Sequence, residues 1–181
     1  MTHGLPRAYP GMRIGLFGGS FDPAHEGHAH VAETALKRLR LDQVWWLVSP
    51  QNPLKAKSSP FAERLQSARR CAQGAKMIVT DLEERLGLAF TYQTIRALKR
   101  RYPGVAFTLV MGEDNLRNFR KWRRWREVAR AVPVAIVSRP GSAPSARLSA
   151  PEGWVFLNAR HHPQSSTALR KRAAVAKGRR K

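Results

Sequence analysis

Strand-length apolar runs separated by stretches of helical spacing recur along nearly the whole chain, and this alternation restricts the fold more than any other feature. Residues 12–17, 44–49, 77–82, 106–111 and 132–137 read as strands, and 154–158 as a sixth. Between the first two, Val31, Ala32, Ala35, Leu36 and Leu39 recur at helical spacing and place a helix over 27–40. Ser59 and Pro60 offer an N-cap and a first-turn proline for a helix reaching to about residue 75. Thr91 can cap a helix carrying Ile95, Leu98 and Tyr102, which Pro103-Gly104 ends. Trp122, Trp125, Val128 and Ala129 give a further helical stripe. Residues 112–115 read as a short polar turn, and 140–153, rich in Pro, Ser, Ala and Gly, as a surface loop. Parallel strands need a crossover that helices supply, so the expected fold is α/β: one doubly wound parallel sheet in a single domain over residues 12–176. Residues 1–11 are expected to be a mobile extension and 177–181 a basic tail.

Composition narrows the partners. Lys and Arg number 33 against 12 Asp and Glu, a formal charge of +21, which points to phosphate-bearing ligands, whether nucleotides or nucleic acid. The excess is concentrated in 96–130 and 160–181. The interleaved Arg and Trp of 120–126 would suit a basic nucleic-acid-binding module, which is the competing class. Cys71 is the only cysteine, so neither an intramolecular disulfide nor a cysteine-rich metal site is expected. No apolar run approaches the roughly 20 residues that span a bilayer, so a cytoplasmic protein with no membrane partner is expected.

The most informative stretch is GGSFDPAHEGH, residues 18–28, which sets glycines directly after a buried strand and two histidines at the start of the next helix. Small residues let a phosphate approach the backbone, and a helix N-terminus turns N–H donors and partial positive charge toward it. His25 and His28, three residues apart, can share one side of the first turn and add donors for the same anion. The glycine spacing fits neither G-x-G-x-x-G nor the lysine-bearing P-loop, which argues against a dinucleotide site or a P-loop ATPase. His25 and Glu26 open like a zinc helix, but H-E-x-x-H would need histidine where Ala29 stands. His25, His28 and His30 as a metal-ligand set remains an alternative.

The stretch from Gly18 to His28 resembles the G-x-F-D-P-x-H-x-G-H motif of the nucleotidyltransferases distantly related to class I aminoacyl-tRNA synthetases. Ser165-Ser166-Thr167-Ala168-Leu169-Arg170 resembles the family's S-S-T-x-[IL]-R. Taken alone, Ser-Ser-Thr would read as an ordinary N-cap. Further matches, in order along the chain, resemble the nicotinate-nucleotide adenylyltransferase branch. They are Ser49 to Lys55, Asp81-Leu82-Glu83, Thr91-Tyr92, Gly112-Glu113-Asp114-Asn115, Trp122 with Trp125, and Ser138 to Gly141.

The resemblance implies a Rossmann-like fold and transfer of the adenylyl group of ATP to nicotinate mononucleotide, with pyrophosphate released. ATP and the mononucleotide are then the partners, and nucleic acid is not expected as a specific one. Magnesium is expected to arrive with ATP, with no metal site of the protein's own. The implied catalytic residues are His25, His28 and Arg170. Gly18, Gly19, Ser20, Phe21, Lys55, Gly112, Asp114, Ser166 and Thr167 are implied for ATP, and Thr91, Trp122 and Arg139 for the mononucleotide. The runner-up within the superfamily is a pantetheine-phosphate adenylyltransferase. Two departures stand out: Arg123 occupies a position that is often aromatic in relatives, and eleven residues follow Arg170 where many relatives continue into another helix. The sequence sets no oligomeric state.

Overall fold

The computed structural model describes residues 5–50, 58–138 and 153–158. Among the described residues twelve elements follow one another: β1 (Arg13–Gly19), α1 (Glu26–Arg38), β2 (Gln43–Val48), α2 (Phe61–Cys71), β3 (Met77–Thr80), α3 (Leu82–Arg85), α4 (Thr91–Arg101), β4 (Ala106–Gly112), α5 (Glu113–Phe119), α6 (Trp125–Ala131), β5 (Val134–Ser138) and β6 (Val155–Asn158). The strands form one parallel sheet in the order β3-β2-β1-β4-β5-β6. This is the doubly wound, Rossmann-like arrangement expected of alternating strands and helices. No helix among the described residues is long and apolar enough to cross a membrane.

The central strands, covered on both faces, bury most of their side chains, alternately to each side. Ile14, Leu16, Trp45, Leu109 and Ile136 enter one core together with Ile95 and Leu98 of α4 and Val128 of α6. Phe17, Val44, Trp46, Val110 and Ala135 enter the other, beneath Ala32 and Ala35 of α1 and Ala68 of α2. Gly15 is confined to a small residue by packing: a Cβ there would lie 2.8 Å from Leu41 Cδ1 and 3.2 Å from Val110 Cγ2.

Local chemistry shifts several boundaries from the expected ones. β3 stops at Thr80, whose hydroxyl accepts from the Leu82 N–H at 3.1 Å and starts the single turn of α3, so Leu82 is helical rather than strand. The expected polar turn after β4 is helix α5, which Gly112 enters in extended backbone, with Glu113 and Asp114 favourably placed in its first turn. Phe90 is the N-cap of α4 and Thr91 its first helical residue; Gln93 Oε1 accepts from the Phe90 N–H at 3.1 Å. Arg124, at φ 55° in the left-handed region, keeps Trp122 outside α6, which begins at Trp125. α2 runs from Phe61, with Pro60 as N-cap, only to Cys71, and Gly74 at φ 96° turns the chain into β3. Residues 5–11, read from the sequence as outside the domain, lie against it. Leu5 and Ala8 pack on the core, and the Tyr102 hydroxyl donates to the Pro6 carbonyl at 2.7 Å.

Candidate active site

β1 delivers its C-terminal end to a loop that no described residue crowds on one side: among the described residues, a Cβ on Gly18 would meet no atom within 4 Å. The opposite side is packed. Phe21, at φ 46°, holds a backbone conformation that L side chains rarely adopt, and its buried ring explains why the strain persists. That ring stands edge-on to Phe17 at 5.4 Å and to His28 at 5.1 Å, and lies 5.1 Å from Trp46. A Cβ on Gly19 would press on the same ring at 3.1 Å, so any larger residue there would oblige the Phe21 ring to shift by a few tenths of an ångström. Phe21 therefore supports the loop from below, and its side chain, 1% exposed, offers the solvent side nothing.

The chain then reaches His25, the extended N-cap of α1 (φ −152°), and His28, one turn into the helix. Their ring centroids are 3.9 Å apart. The His25 backbone N–H donates to His28 Nδ1 at 3.2 Å. An imidazole nitrogen that accepts carries no proton, so this bond assigns the proton of neutral His28 to Nε2, where it is a donor. Ser67 of α2 secures the chain just before His25 by accepting from the Ala24 N–H at 2.9 Å.

β4 is the parallel neighbour of β1 on the side away from β2, with Phe17 opposite Val110. Its C-terminal end, Gly112 leading to exposed Asp114 in α5, therefore lies at the same edge of the sheet as the β1–α1 loop. β1 connects outward to β2 and β4 to β5, so the two ends flank the point where the winding reverses, the usual ligand crevice of such sheets. Gly112 comes close to α1, since a Cβ on it would lie 3.8 Å from Val31 Cγ2.

A second grouping forms on the face covered by α4 and α6. The Arg123 guanidinium lies over the Phe90 ring at 5.0 Å and that of Arg124 over Tyr92 at 4.9 Å. The turn carrying Trp122 is thereby held against the start of α4, where Thr91 stands. Trp122 is half-buried beside Phe119, at 5.2 Å. Behind this helix start, the Thr94 hydroxyl donates to buried Glu83 at 2.7 Å. Burial raises the Glu83 carboxyl to about 7, with the Thr94 hydrogen bond pulling the other way.

The family described as cytidylyltransferase-like matches residues 16–172. The chain is 56% identical over 160 residues to the "Probable nicotinate-nucleotide adenylyltransferase" of Caulobacter sp. (strain K31), covering 87% of this chain and 84% of that one. With the protein of the same name from Roseobacter denitrificans it shares 49% identity over 177 residues, 97% of this chain and 88% of the relative. The chain belongs to the nicotinate-nucleotide adenylyltransferase family. The fold agrees with the solved structure of the Plasmodium falciparum nicotinic acid mononucleotide adenylyltransferase complexed with NaAD. That comparison gives a TM-score of 0.75 at 19% identity, over 88% of this chain and 83% of that one.

The structure thus gathers Gly18, Gly19, Ser20, His25 and His28 at the β1–α1 junction and sets Gly112 and Asp114 at the neighbouring strand end. Thr91 and Trp122 form the second grouping. Lys55, Arg139, Ser166, Thr167 and Arg170 lie outside the described residues. Among those described, no group of three or more His, Cys, Asp or Glu is placed to hold a metal ion. Sequence reasoning did not single out Arg64, Ser67, Phe90 or Arg124 for the site. Their types and spacing carry no signal of their own, because each matters through a partner distant in sequence or by a left-handed backbone.

Proposed function

We propose that this chain transfers the adenylyl group of ATP to nicotinate mononucleotide, forming nicotinate adenine dinucleotide and pyrophosphate, as a step of NAD biosynthesis in the cytoplasm. The observation that carries the reading is the His25–His28 pair at a helix start beside the winding reversal, with the His28 Nδ1 engaged so that Nε2–H is the donor. The 5′-phosphate of the mononucleotide attacks the α-phosphorus, and the bond to the β-phosphate bridging oxygen breaks. No protein nucleophile is needed, so alignment and charge placed where the transition state becomes more negative supply the catalysis.

His28 and His25, with the N–H groups of Glu26 and Gly27 at the start of α1, hold the α- and β-phosphate region above Gly18, where the backbone admits close approach. Asp114 accepts from the ribose hydroxyls of the adenosine. Lys55, Ser166, Thr167 and Arg170 serve the ATP phosphates, the last three receiving the departing pyrophosphate, and Arg139 meets the mononucleotide phosphate. Imidazole and amide donors suit phosphate rather than a cation, so magnesium fits this site as an ion held by the ATP oxygens and water. Bound there, it neutralises charge on the phosphates.

Trp122 stacks on the pyridine ring, and its carboxylate is received at the start of α4. Of the first-turn N–H groups there, that of Gln93 donates to the Phe90 carbonyl at 2.9 Å, whereas those of Thr91 and Tyr92 have no carbonyl of a preceding turn to reach, and Arg123 and Arg124 stand close by.

The test is pyrophosphate release from ATP with nicotinate mononucleotide, nicotinamide mononucleotide and 4′-phosphopantetheine as acceptors in turn. Turnover with the pyridine mononucleotides is expected. Turnover confined to 4′-phosphopantetheine would replace this reading with the pantetheine one.

A further inference from the structure

Arg64 is a buried arginine, 2% exposed, on a helix whose other arginines, Arg69 and Arg70, face solvent. Its guanidinium spends every nitrogen on backbone carbonyls of loops. Nε donates to Ser59 at 2.9 Å, Nη1 to Ser20 at 2.9 Å and to Ser49 at 2.7 Å, and Nη2 to Pro50. Ser20 belongs to the loop that precedes His25. Ser49 and Pro50 leave the C-terminal end of β2, and Ser59 leads into α2. The Ser49 N–H in turn donates to the Gly19 carbonyl at 3.0 Å, so the two strand ends are also tied to each other at the peptides next to those Arg64 holds. One turn further along α2, Ser67 accepts from the Ala24 N–H, and Asp22 Oδ2 accepts from the Ser59 N–H at 3.4 Å.

None of these carbonyls belongs to a helix or to the paired part of a strand, so the guanidinium ties loop to loop rather than core to core. Burying such a charge is costly, and a fold needing only packing at this position would be served by an apolar residue. We propose that Arg64 is a positioning residue for adenylyl transfer: it touches no substrate, but fixes the β1–α1 phosphate loop against the described flanks of segment 51–57. The groups that meet the phosphates are thereby already in place when ATP arrives. This inference rests on the reaction proposed above. A planar fork is required, because the four carbonyls are reached by three different nitrogens, whereas lysine brings its donors to a single atom.

The experiment compares the parent protein with Arg64→Lys, Arg64→Ala and Ser67→Ala by steady-state pyrophosphate release, thermal melting and amide hydrogen exchange. Both Arg64 variants are expected to lose kcat by about tenfold to a hundredfold, the scale set by small misplacement of reacting groups, with KM for ATP changing much less. Exchange at residues 19–25 should quicken while β4 and β5 stay protected. Added guanidinium ion should restore part of the kcat of Arg64→Ala and none of that of Arg64→Lys, whose side chain still occupies the space. Ser67→Ala should show a smaller loss of the same kind. If Arg64→Ala does not fold, Arg64→Lys and Ser67→Ala decide. Parent-like kcat in the folded variants, or a loss that follows melting alone with unchanged exchange at 19–25, would overturn the proposal. Should the parent turn over a different acceptor, the reading of the reaction fails by itself, and the Arg64 comparison is made with that acceptor. Should it turn over none, exchange at 19–25 decides.

Discussion

Replacing Glu83 by glutamine tests how the described fold handles a buried acid behind the start of α4. The parent carboxyl is pushed by burial from its ordinary 4.5 to about 7, while the Thr94 hydroxyl donates to it at 2.7 Å. Between those two pH values the folded protein holds a proton that the unfolded chain has already released. The contribution to stability is therefore complete below about pH 4.5, is lost progressively as pH rises to about 7, and stays lost above that. The full gap corresponds to about 3 kcal/mol at most. Glutamine keeps an oxygen for Thr94 and does not titrate. Urea unfolding of parent and Glu83→Gln at several pH values should show the variant gaining on the parent, by up to about 3 kcal/mol, as pH rises from about 4.5 to about 8. A stability difference that stays constant across this range would refute the assignment of a neutral, buried Glu83 carboxyl.

Three further outcomes are expected. His28→Ala should lower kcat by about 100-fold or more, as loss of a preorganised donor does, while ATP binding changes little; a variant with parental kcat would remove His28 from the reaction. Gly15→Ala should destabilise by about 1 to 2 kcal/mol through the 2.8 Å approach to Leu41 Cδ1, seen as a lower Tm with KM values intact; an unchanged Tm would show that Leu41 moves freely. The nicotinate mononucleotide should be preferred to the amide by roughly tenfold to a hundredfold in kcat/KM, because an amide NH₂ facing the α4 donors leaves buried polar groups unpaired. Equal values would refute the role given to Thr91.

Period and punctuation made the order of strands and helices readable from the chain, because short continuous apolar runs and apolar repeats of 3.6 residues depend only on which positions must be buried. The GGSFDPAHEGH loop was readable for a related reason: glycines after a strand and histidines at a helix start act over a few residues, so their chemistry is local. Elements whose ends depend on single hydrogen bonds were not readable. Thr80 capturing the Leu82 N–H turns an expected strand end into α3, and the left-handed Arg124 moves Trp122 off α6. Nor does the sequence state that β4 lies beside β1 rather than beside β3, its predecessor. That pairing sets Gly112 and Asp114 at the edge where His25 and His28 wait. The sequence by itself determined the kinds of elements and the phosphate chemistry of one loop, both properties of neighbouring residues. Only the tertiary structure decided that Arg64 gathers Ser20, Ser49, Pro50 and Ser59, and that Glu83 meets Thr94, because a side chain's burial and partners are set by segments far apart in the chain.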